Sequence, residues 1–307
     1  MNKTIKKGVL YIWNNSIDFL LYVKDNIYYT YDKIYCTFKK PPHVLSVPET
    51  IDLIIKNNLS VSRFGDAEIK LVAGRDVPYQ SCDKELQNRL IQVLSSDNND
   101  HIICLSNVLS DLSLFNEAAK QHWKKHLAYY RPYWLRYLRN NKIYGDAFIT
   151  RNYIDLIDKS NSELHFNNLK KIWNNKNILL IEGEKSRLGV GNDLFNNTKS
   201  IQRILAPNRN AFKHYNNILK EACKYNPSDY LILLAMGPTA TILAYDLTLK
   251  GYQAIDIGHV DIEYEWFKMG ATHKVPVPNK FVNEAGAGAG VGDIDNKKYL
   301  SEIVCRF

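Results

Sequence analysis

Short apolar runs alternate with segments of helical periodicity from Val47 onward. The runs are rich in β-branched residues and are bounded by polar or glycine-containing turns, which is typical of buried strands. Between them, apolar positions recur every three to four residues, which predicts helices. The predicted strands are residues 59–64, 102–105, 147–149, 177–181, 200–205, 229–236 and 252–257, and the predicted helices are residues 48–57, 84–94, 116–139, 209–224 and 238–250. This alternation predicts an α/β fold with a mostly parallel sheet flanked by helices, and Pro132 is expected to kink or divide the helix at 116–139.

The first 45 residues follow a different pattern. Their apolar and aromatic residues fall on one side of a helix, and the segment carries seven lysines and three aspartates. It lacks the run of roughly 18 apolar residues that a spanning helix needs, and its polar residues argue against a signal peptide. We expect a basic amphipathic helical extension at residues 1–45, followed by one domain at residues 46–307. The extension either lies on a membrane surface through residues 1–40 or packs on the protein body or a partner.

Composition narrows the class of protein. The 307 residues carry a formal charge of +8, and their five cysteines are scattered without a CxxC pair. This cysteine usage favours a reducing, cytoplasmic compartment over a disulfide scaffold or a zinc ribbon. The positive charge suits an anionic nucleotide or an anionic membrane surface. Nucleic acid is not expected as a partner, because the chain has no basic stripe interleaved with the aromatics of a known module.

Two carboxylates mark the end of the first predicted strand. Asp66 and Glu68 follow Gly65 at a strand-to-helix turn, where a parallel sheet places its ligand crevice. Carboxylates at this spacing are suited to one divalent cation, and Arg63 is placed to meet phosphates that the cation also binds. The alternative is that Asp66 is an ordinary N-cap and Glu68 an acid favoured by the helix dipole. A capping box is not expected, because the third residue after Asp66 is Ile69.

Basic residues follow the predicted strand at 177–181. Lys185 and Arg187 lie in the glycine-containing loop 182–193, and positive side chains at the carboxyl end of a strand suit a diphosphate. The alternative is an ordinary basic surface loop. The same loop contributes three further polar candidates for this binding site, Ser186, Asn192 and Asp193.

Two glycine-containing stretches complete the binding candidates. Thr239 follows the strand at 229–236 at a helix start, where its hydroxyl either binds an anion or caps the helix. Neither a Walker loop nor a dinucleotide fingerprint is present there. The Gly/Ala run at 285–292 lacks a strand-turn-helix setting and is expected to form a flexible flap.

Ionisable residues cluster after the last predicted strand. His259, Asp261 and Glu263 alternate with apolar residues, and on a helix His259 and Glu263 share one face. A histidine beside several acids at the carboxyl end of a strand indicates a metal ligand or a general base. The alternative is that these side chains only cap and brace the following helix.

Taken together, these blocks resemble the bacterial GT-D fold glycosyltransferases. The resemblance rests on residues 63–68, 181–194, 237–241 and 258–266 and runs from about residue 47 to about residue 282. It implies a Rossmann-like fold and transfer of a hexose from a UDP-sugar with Mn²⁺ or Mg²⁺. The family's Asp-x-Glu metal element corresponds to Asp66 and Glu68.

The expected function is therefore metal-dependent transfer of a hexose, glucose or galactose, from a UDP-sugar to a glycan acceptor. The acceptor would be lipid-linked or protein-linked, in cell-surface polysaccharide or glycoprotein synthesis at the inner face of the membrane. Thr150 and Arg151 are expected to complete the nucleotide-sugar pocket, and Glu263 or Asp261 to deprotonate the acceptor if the enzyme inverts. The alternatives are a metal-dependent phosphohydrolase and a non-catalytic nucleotide-sugar-binding protein on the membrane.

Overall fold

The computed structural model describes residues 3–286 and 291–307, with side chains in the first helix described from Phe19 onward except Leu21. Eight strands form one sheet in the order β3-β2-β1-β7-β6-β4-β5-β8, and every pairing between them is parallel. The prediction of a mostly parallel α/β sheet is confirmed. The strands are β1 (Ser60–Phe64), β2 (His101–Leu105), β3 (Gly145–Asp146), β4 (Asn177–Gly183), β5 (Ser200–Ala206), β6 (Tyr230–Ala235), β7 (Ala254–Asp256) and β8 (Ile303–Arg306).

Helices connect the strands and cover the sheet. They are α1 (Lys3–Phe38), α2 (Val47–Asn57), α3 (Asp66–Val72), α4 (Lys84–Ser95), α5 (Glu117–Tyr137), α6 (Ser162–Lys170), α7 (Tyr215–Ala222), α8 (Pro238–Thr248), α9 (Val260–Lys268) and α10 (Lys297–Glu302). Three short 3₁₀ helices lie at Ala147–Thr150, Lys171–Trp173 and Ala211–His214.

The central strands are buried on both faces. All five residues of β2 and the last six of β4 are buried, which explains their continuous apolar runs. Fully burying one such Leu or Ile side chain contributes about 1.5–3 kcal/mol to the free energy of unfolding, so these strands supply much of the stability of the sheet.

The register of β1 and β7 positions the site. Val61 pairs with Ile255, so the carboxyl ends of these two strands lie side by side although they are nearly 200 residues apart in the chain. The turns after β1, β4, β6 and β7 therefore face one crevice at this edge of the sheet.

Two local predictions were wrong, and one of the two alternatives for Pro132 is ruled out. Residues 147–149 form a 3₁₀ helix instead of a strand, because Asp146 ends β3 and its carboxylate accepts the Phe148 N–H at 2.8 Å. Pro132 was expected to kink or divide α5; the helix is not divided, since it runs from Glu117 to Tyr137, and the kink stays a prediction. The helix expected to start at 209 begins as the 3₁₀ helix Ala211–His214 and continues as α7.

The N-terminal helix packs on α5. Asp25 Oδ1 accepts a hydrogen bond from the Tyr129 hydroxyl at 2.7 Å, and Asp32 Oδ1 lies 2.5 Å from Arg131 Nε. Asp32 and Arg131 are buried. No described helix is long and apolar enough to cross a membrane. The predicted flap at 285–292 includes residues 287–290, which lie outside the described residues.

Candidate active site

A cavity of about 970 Å³ opens at the carboxyl ends of β1, β4, β6 and β7. Eight residues named from the sequence line this central cavity: Arg63, Gly65, Asp66, Glu68, Arg151, Ser186, His259 and Asp261. Seven others lie outside the lining that the described residues form: Thr150, Lys185, Arg187, Asn192, Asp193, Thr239 and Glu263. The structure therefore brings about half of the candidate set to the lining of one cavity.

Arg63 is anchored at the floor of the cavity by Asp256, the last residue of β7. Its Nε donates to the Asp256 carbonyl at 2.9 Å, and its Nη2 lies 2.9 Å from Asp256 Oδ1. Thr241 on α8 donates its hydroxyl to the Arg63 carbonyl at 3.0 Å. These contacts fix a positive charge beside the turn that carries Asp66 and Glu68.

The first turn of α3 positions Glu68. Gly65, not Asp66, is the N-cap, so Glu68 is the third helical residue and its Oε2 accepts the Gly65 N–H at 2.8 Å. The expectation that no carboxylate would complete a capping contact here was wrong, because the helix starts one residue earlier than that count assumed. Burial, together with the negative charge of Asp256, raises the pKa of Glu68 to about 7.

Asp66 faces a different set of partners. Its Oδ2 lies 2.7 Å from Lys70 Nζ and 3.4 Å from His122 Nε2 on α5. Burial favours the neutral acid, but the hydrogen bonds and charges of His122 and Lys70 outweigh it and lower the pKa of Asp66. Asp66 is therefore ionised at neutral pH.

Asp66 and Glu68 fit a shared metal better than a metal bound by protein alone. Among the described residues, no group of three or more His, Cys, Asp and Glu side chains is arranged to hold a metal ion. Mg²⁺ in phosphate-transfer sites is commonly held by one or two carboxylates together with substrate phosphates. Two carboxylates on one cavity wall, next to Arg63, are consistent with that arrangement.

The basic loop after β4 contacts protein instead of the cavity. Lys185 Nζ donates to the Val291 carbonyl at 2.9 Å, and Arg187 donates to the carbonyls of Asn279 at 2.8 Å and Gly292 at 2.6 Å. Arg187 is buried and has φ +51°. Both cations thus hold backbone at residues 279 and 291–292, and Ser186 between them lines the cavity.

A buried ion pair fixes the start of the same loop. Glu182 is fully buried, and its Oε1 lies 2.5 Å from Arg203 Nη1 on β5. Its Oε2 accepts the Leu188 N–H at 2.8 Å, and Arg203 Nε lies 2.7 Å from Glu302 Oε2. Burial raises the pKa of Glu182, and Arg203 opposes that rise.

Two other predicted binding residues contact side chains of the protein itself. Asn192 donates to Asp261 Oδ1 at 2.8 Å, and Asp193 lies 3.0 Å from Lys170. Thr150 and Thr239 are buried, and their hydroxyls have no hydrogen-bond partner among the described residues.

The ionisable residues after β7 separate into three environments. His259 precedes α9 and lines the cavity, and burial followed by the Arg151 charge lowers its pKa to about 4. Asp261 is buried and lies 2.6 Å from Lys280 Nζ. Glu263 is fully buried, and its Oε2 accepts the backbone N–H groups of residues 153 and 154 at 3.2 and 3.1 Å. Burial raises the pKa of Glu263 to about 7.

A family comparison extends these observations. The family model described as "Glycosyltransferase GT-D fold" matches residues 61–285. The chain belongs to this GT-D fold family. The resemblance stated from the sequence and the fold that it implied are thereby confirmed.

Individual relatives of the chain are also named as glycosyltransferases. The chain is 43% identical over 262 residues to "Probable glycosyl transferase Gly" of Streptococcus gordonii and 41% identical over 264 residues to "Glycosyltransferase GlyD" of Streptococcus pneumoniae. These matches cover 85% and 86% of this chain but 38% and 32% of the relatives, so the chain spans about a third of their length.

Solved structures show the same fold. One, described as a highly conserved domain of unknown function with a distinct glycosyltransferase fold, has a TM-score of 0.83 at 44% identity, with 86% of this chain and 95% of that chain covered. Another, a new glycosyltransferase from Streptococcus sanguinis, has a TM-score of 0.83 at 40% identity, with 87% and 99% covered.

Several cavity residues of this GT-D domain were missed from the sequence. His122, on α5, was predicted only as part of the helix at 116–139, although it contacts Asp66. Tyr79 lines the cavity without any local motif. Lys274 Nζ bridges Asp155 Oδ1 at 3.1 Å and Glu284 Oε2 at 2.8 Å, and Arg151 also pairs with Glu284. Of these residues, only His122 could have been identified from the sequence. It lies in an amphipathic helix, on the side away from the buried residues Trp123 and Leu127.

Proposed function

We propose that this GT-D chain transfers a hexose, glucose or galactose, from a UDP-sugar to a glycan acceptor with the help of Mn²⁺ or Mg²⁺. The observation that carries the proposal is that Asp66, Glu68 and Arg63 all line the central cavity, at the turn that follows β1. The acceptor is a lipid-linked or protein-linked glycan in cell-surface polysaccharide or glycoprotein synthesis. The reaction takes place in the cytoplasm, at the inner face of the membrane.

Each residue at the donor end has one task. Asp66 and Glu68 would hold the cation, which when bound would supply Lewis-acid stabilisation of a UDP leaving group. Arg63, fixed by Asp256, adds a permanent positive charge that needs no reorganisation during the reaction. Arg151 and Lys274 add further positive charge to the cavity lining, where Glu284 pairs with both until an anionic donor competes for them.

His259 is the base that the cavity geometry favours for an inverting reaction. Its imidazole lines the cavity, whereas Glu263 does not. Burial and the Arg151 charge lower the pKa of His259 to about 4, so the ring is neutral at pH 7 but a weaker base than a free histidine. Glu263 has a positioning role, because its carboxylate holds the backbone at Tyr153 and Ile154 behind Arg151.

The test measures turnover with and without acceptor. Purified protein is offered a panel of UDP-sugars with Mn²⁺ or EDTA, with lipid-linked and peptide-linked glycans as acceptors. Sugar transfer that requires both acceptor and metal is expected. Release of phosphate or free sugar regardless of acceptor would favour the phosphohydrolase, and donor binding without any turnover would favour the nucleotide-sugar-binding protein.

Isosteric variants test the metal assignment. Asp66→Asn and Glu68→Gln are each expected to abolish Mn²⁺-dependent UDP binding and transfer while the fold is kept. Asp52→Asn on the exposed face of α2 removes a carboxylate away from the cavity and serves as the control. Normal Mn²⁺-dependent turnover in either cavity variant would rule out this pair as the metal site.

A further inference from the structure

The N-terminal helix turns Asp25 and Asp32 toward the body of the protein. Asp25 contacts Tyr129 and Asp32 contacts Arg131, both on α5. Residues seven apart lie on nearly the same side of a helix, so this side of α1 is fixed to α5. The amphipathic helix is therefore packed on the body through its acidic side, and its other side remains to be explained.

That other side is an apolar stripe open to solvent. Its residues are spaced three or four apart, with one adjacent pair, and are between 37% and 86% exposed; they are Phe19, Leu20, Val23, Ile27, Tyr31, Ile34 and Phe38. At 1.5 Å per residue the stripe is about 28 Å long. A continuous apolar surface of this size marks a contact site rather than scattered surface residues.

The charges around the stripe are positive. Between residues 19 and 40 the acids are Asp25 and Asp32, which both face α5, and the bases are Lys24, Lys33, Lys39 and Lys40. Lys33 lies over the Tyr29 ring, at 4.9 Å from its centroid. Lys24 lies over the Tyr129 ring of α5, at 5.7 Å from its centroid, and Lys39 and Lys40 follow the end of α1. The apolar stripe thus has lysines beside it and beyond its end, and no carboxylate faces away from α5 between residues 19 and 40.

We propose that this face of α1 seats the protein on an anionic membrane surface. The apolar stripe enters the boundary between headgroups and acyl chains, and the lysines meet the anionic headgroups. A second copy of the chain is the weaker candidate, since a symmetric pairing of α1 with itself would bring the same lysines together without acids to oppose them.

Helix α5 contacts both the proposed membrane-binding helix α1 and the central cavity. On α5, His122 contacts Asp66 in the cavity, and Arg131 holds Asp32 of α1. These positions are nine residues apart, about 14 Å along the helix. This step rests on the proposed function: a lipid-linked acceptor would reach the cavity while its anchor stays in the membrane.

Vesicle sedimentation of the full chain tests the proposal. Vesicles of phosphatidylglycerol and phosphatidylcholine are expected to bind the protein, and vesicles of phosphatidylcholine alone to bind it weakly. The double variant Ile27→Glu/Ile34→Glu should partition roughly tenfold or more weakly, because two charges enter the apolar stripe. The matched control is Leu164→Glu/Leu249→Glu, at positions 57% exposed outside α1, and should bind like the wild type.

Further outcomes are decisive. No binding to anionic vesicles, or equal loss in the control, overturns the proposal. So does a lipid-free dimer, measured by light scattering, that Ile27→Glu/Ile34→Glu dissociates, since the stripe would then belong to a second copy. Phe38→Glu, at the most exposed position, repeats the test if the double variant unfolds. Transfer to a soluble acceptor should persist in every variant, so failure here is distinguishable from failure of the proposed function.

Discussion

The guanidinium of Arg63 fills the space in which a side chain at position 258 would begin. A Cβ built on Gly258 would lie 1.7 Å from Arg63 Nη2 and 2.8 Å from its Cζ. Gly258 also has φ +41°, a conformation that favours glycine. The close approach lets Arg63 keep both of its contacts with Asp256 at the edge of the sheet.

Gly258→Ala is expected to weaken UDP binding and to destabilise the fold by about 1–3 kcal/mol, because Arg63 must move and the backbone is strained. Calorimetric titration of UDP and thermal unfolding measure the two effects. Gly251→Ala is the control, since Gly251 has φ +85° and nothing within 4 Å of a built Cβ. Equal UDP affinity in both variants would show that the position of Arg63 does not matter for binding.

His259→Gln is expected to lower kcat by about 10²–10⁴-fold with little change in UDP affinity, as for loss of a general base. Glu263→Gln should keep kcat within a few-fold, because the amide oxygen still accepts the backbone N–H groups that Glu263 Oε2 accepts now. Steady-state kinetics on both variants make the comparison. The reverse pattern would assign the base to Glu263.

Arg187→Lys should loosen the backbone at residues 279–286 and 291–292, because a lysine cannot reach both carbonyls that Arg187 holds. Hydrogen exchange without UDP is expected to rise at residues 279–286. Arg209→Lys, on an exposed arginine, is the control. If exchange stays unchanged while UDP affinity falls, Arg187 binds the diphosphate directly, as first predicted from the basic loop.

His101 makes stability dependent on pH. It is buried, its Nε2 lies 2.7 Å from Ser62 Oγ, and burial followed by the Lys142 charge lowers its pKa to about 3. Between pH 6.5 and 3 the unfolded chain binds a proton here that the folded chain does not, so the free energy of unfolding falls as pH falls.

The contribution of His101 is at most about 1.4 kcal/mol per pH unit in that range. His101→Gln should therefore flatten the pH dependence of urea denaturation between pH 6 and 4, and the same change at exposed His43 should not. An unchanged slope in His101→Gln would mean that other groups carry the acid sensitivity.

Sequence patterns predicted the features of the fold that depend on neighbouring residues. The buried strands and the turn at Gly65 follow from apolar runs and glycine, and both are found in the structure. The roles of Lys185 and Arg187 could not be predicted in this way, because their carbonyl partners lie about 100 residues later in the chain. Asp256 was overlooked for the same reason, since its partner Arg63 is 193 residues earlier. Position after a strand indicates that a side chain is near the crevice but not which way it points.

The buried Arg203 affects both the synthesis of the domain and where it can be truncated. One of its two carboxylate partners, Glu302, lies beyond residue 285, where the match to the family ends. During synthesis, Arg203 and Glu182 are therefore translated about a hundred residues before that second carboxylate and β8 emerge from the ribosome. A fragment trimmed to the family boundary would leave Arg203 with Glu182 alone and β5 without its outer neighbour, and the loop that Glu182 holds at Leu188 would lose part of its support. Expression boundaries for this domain should therefore extend through residue 306.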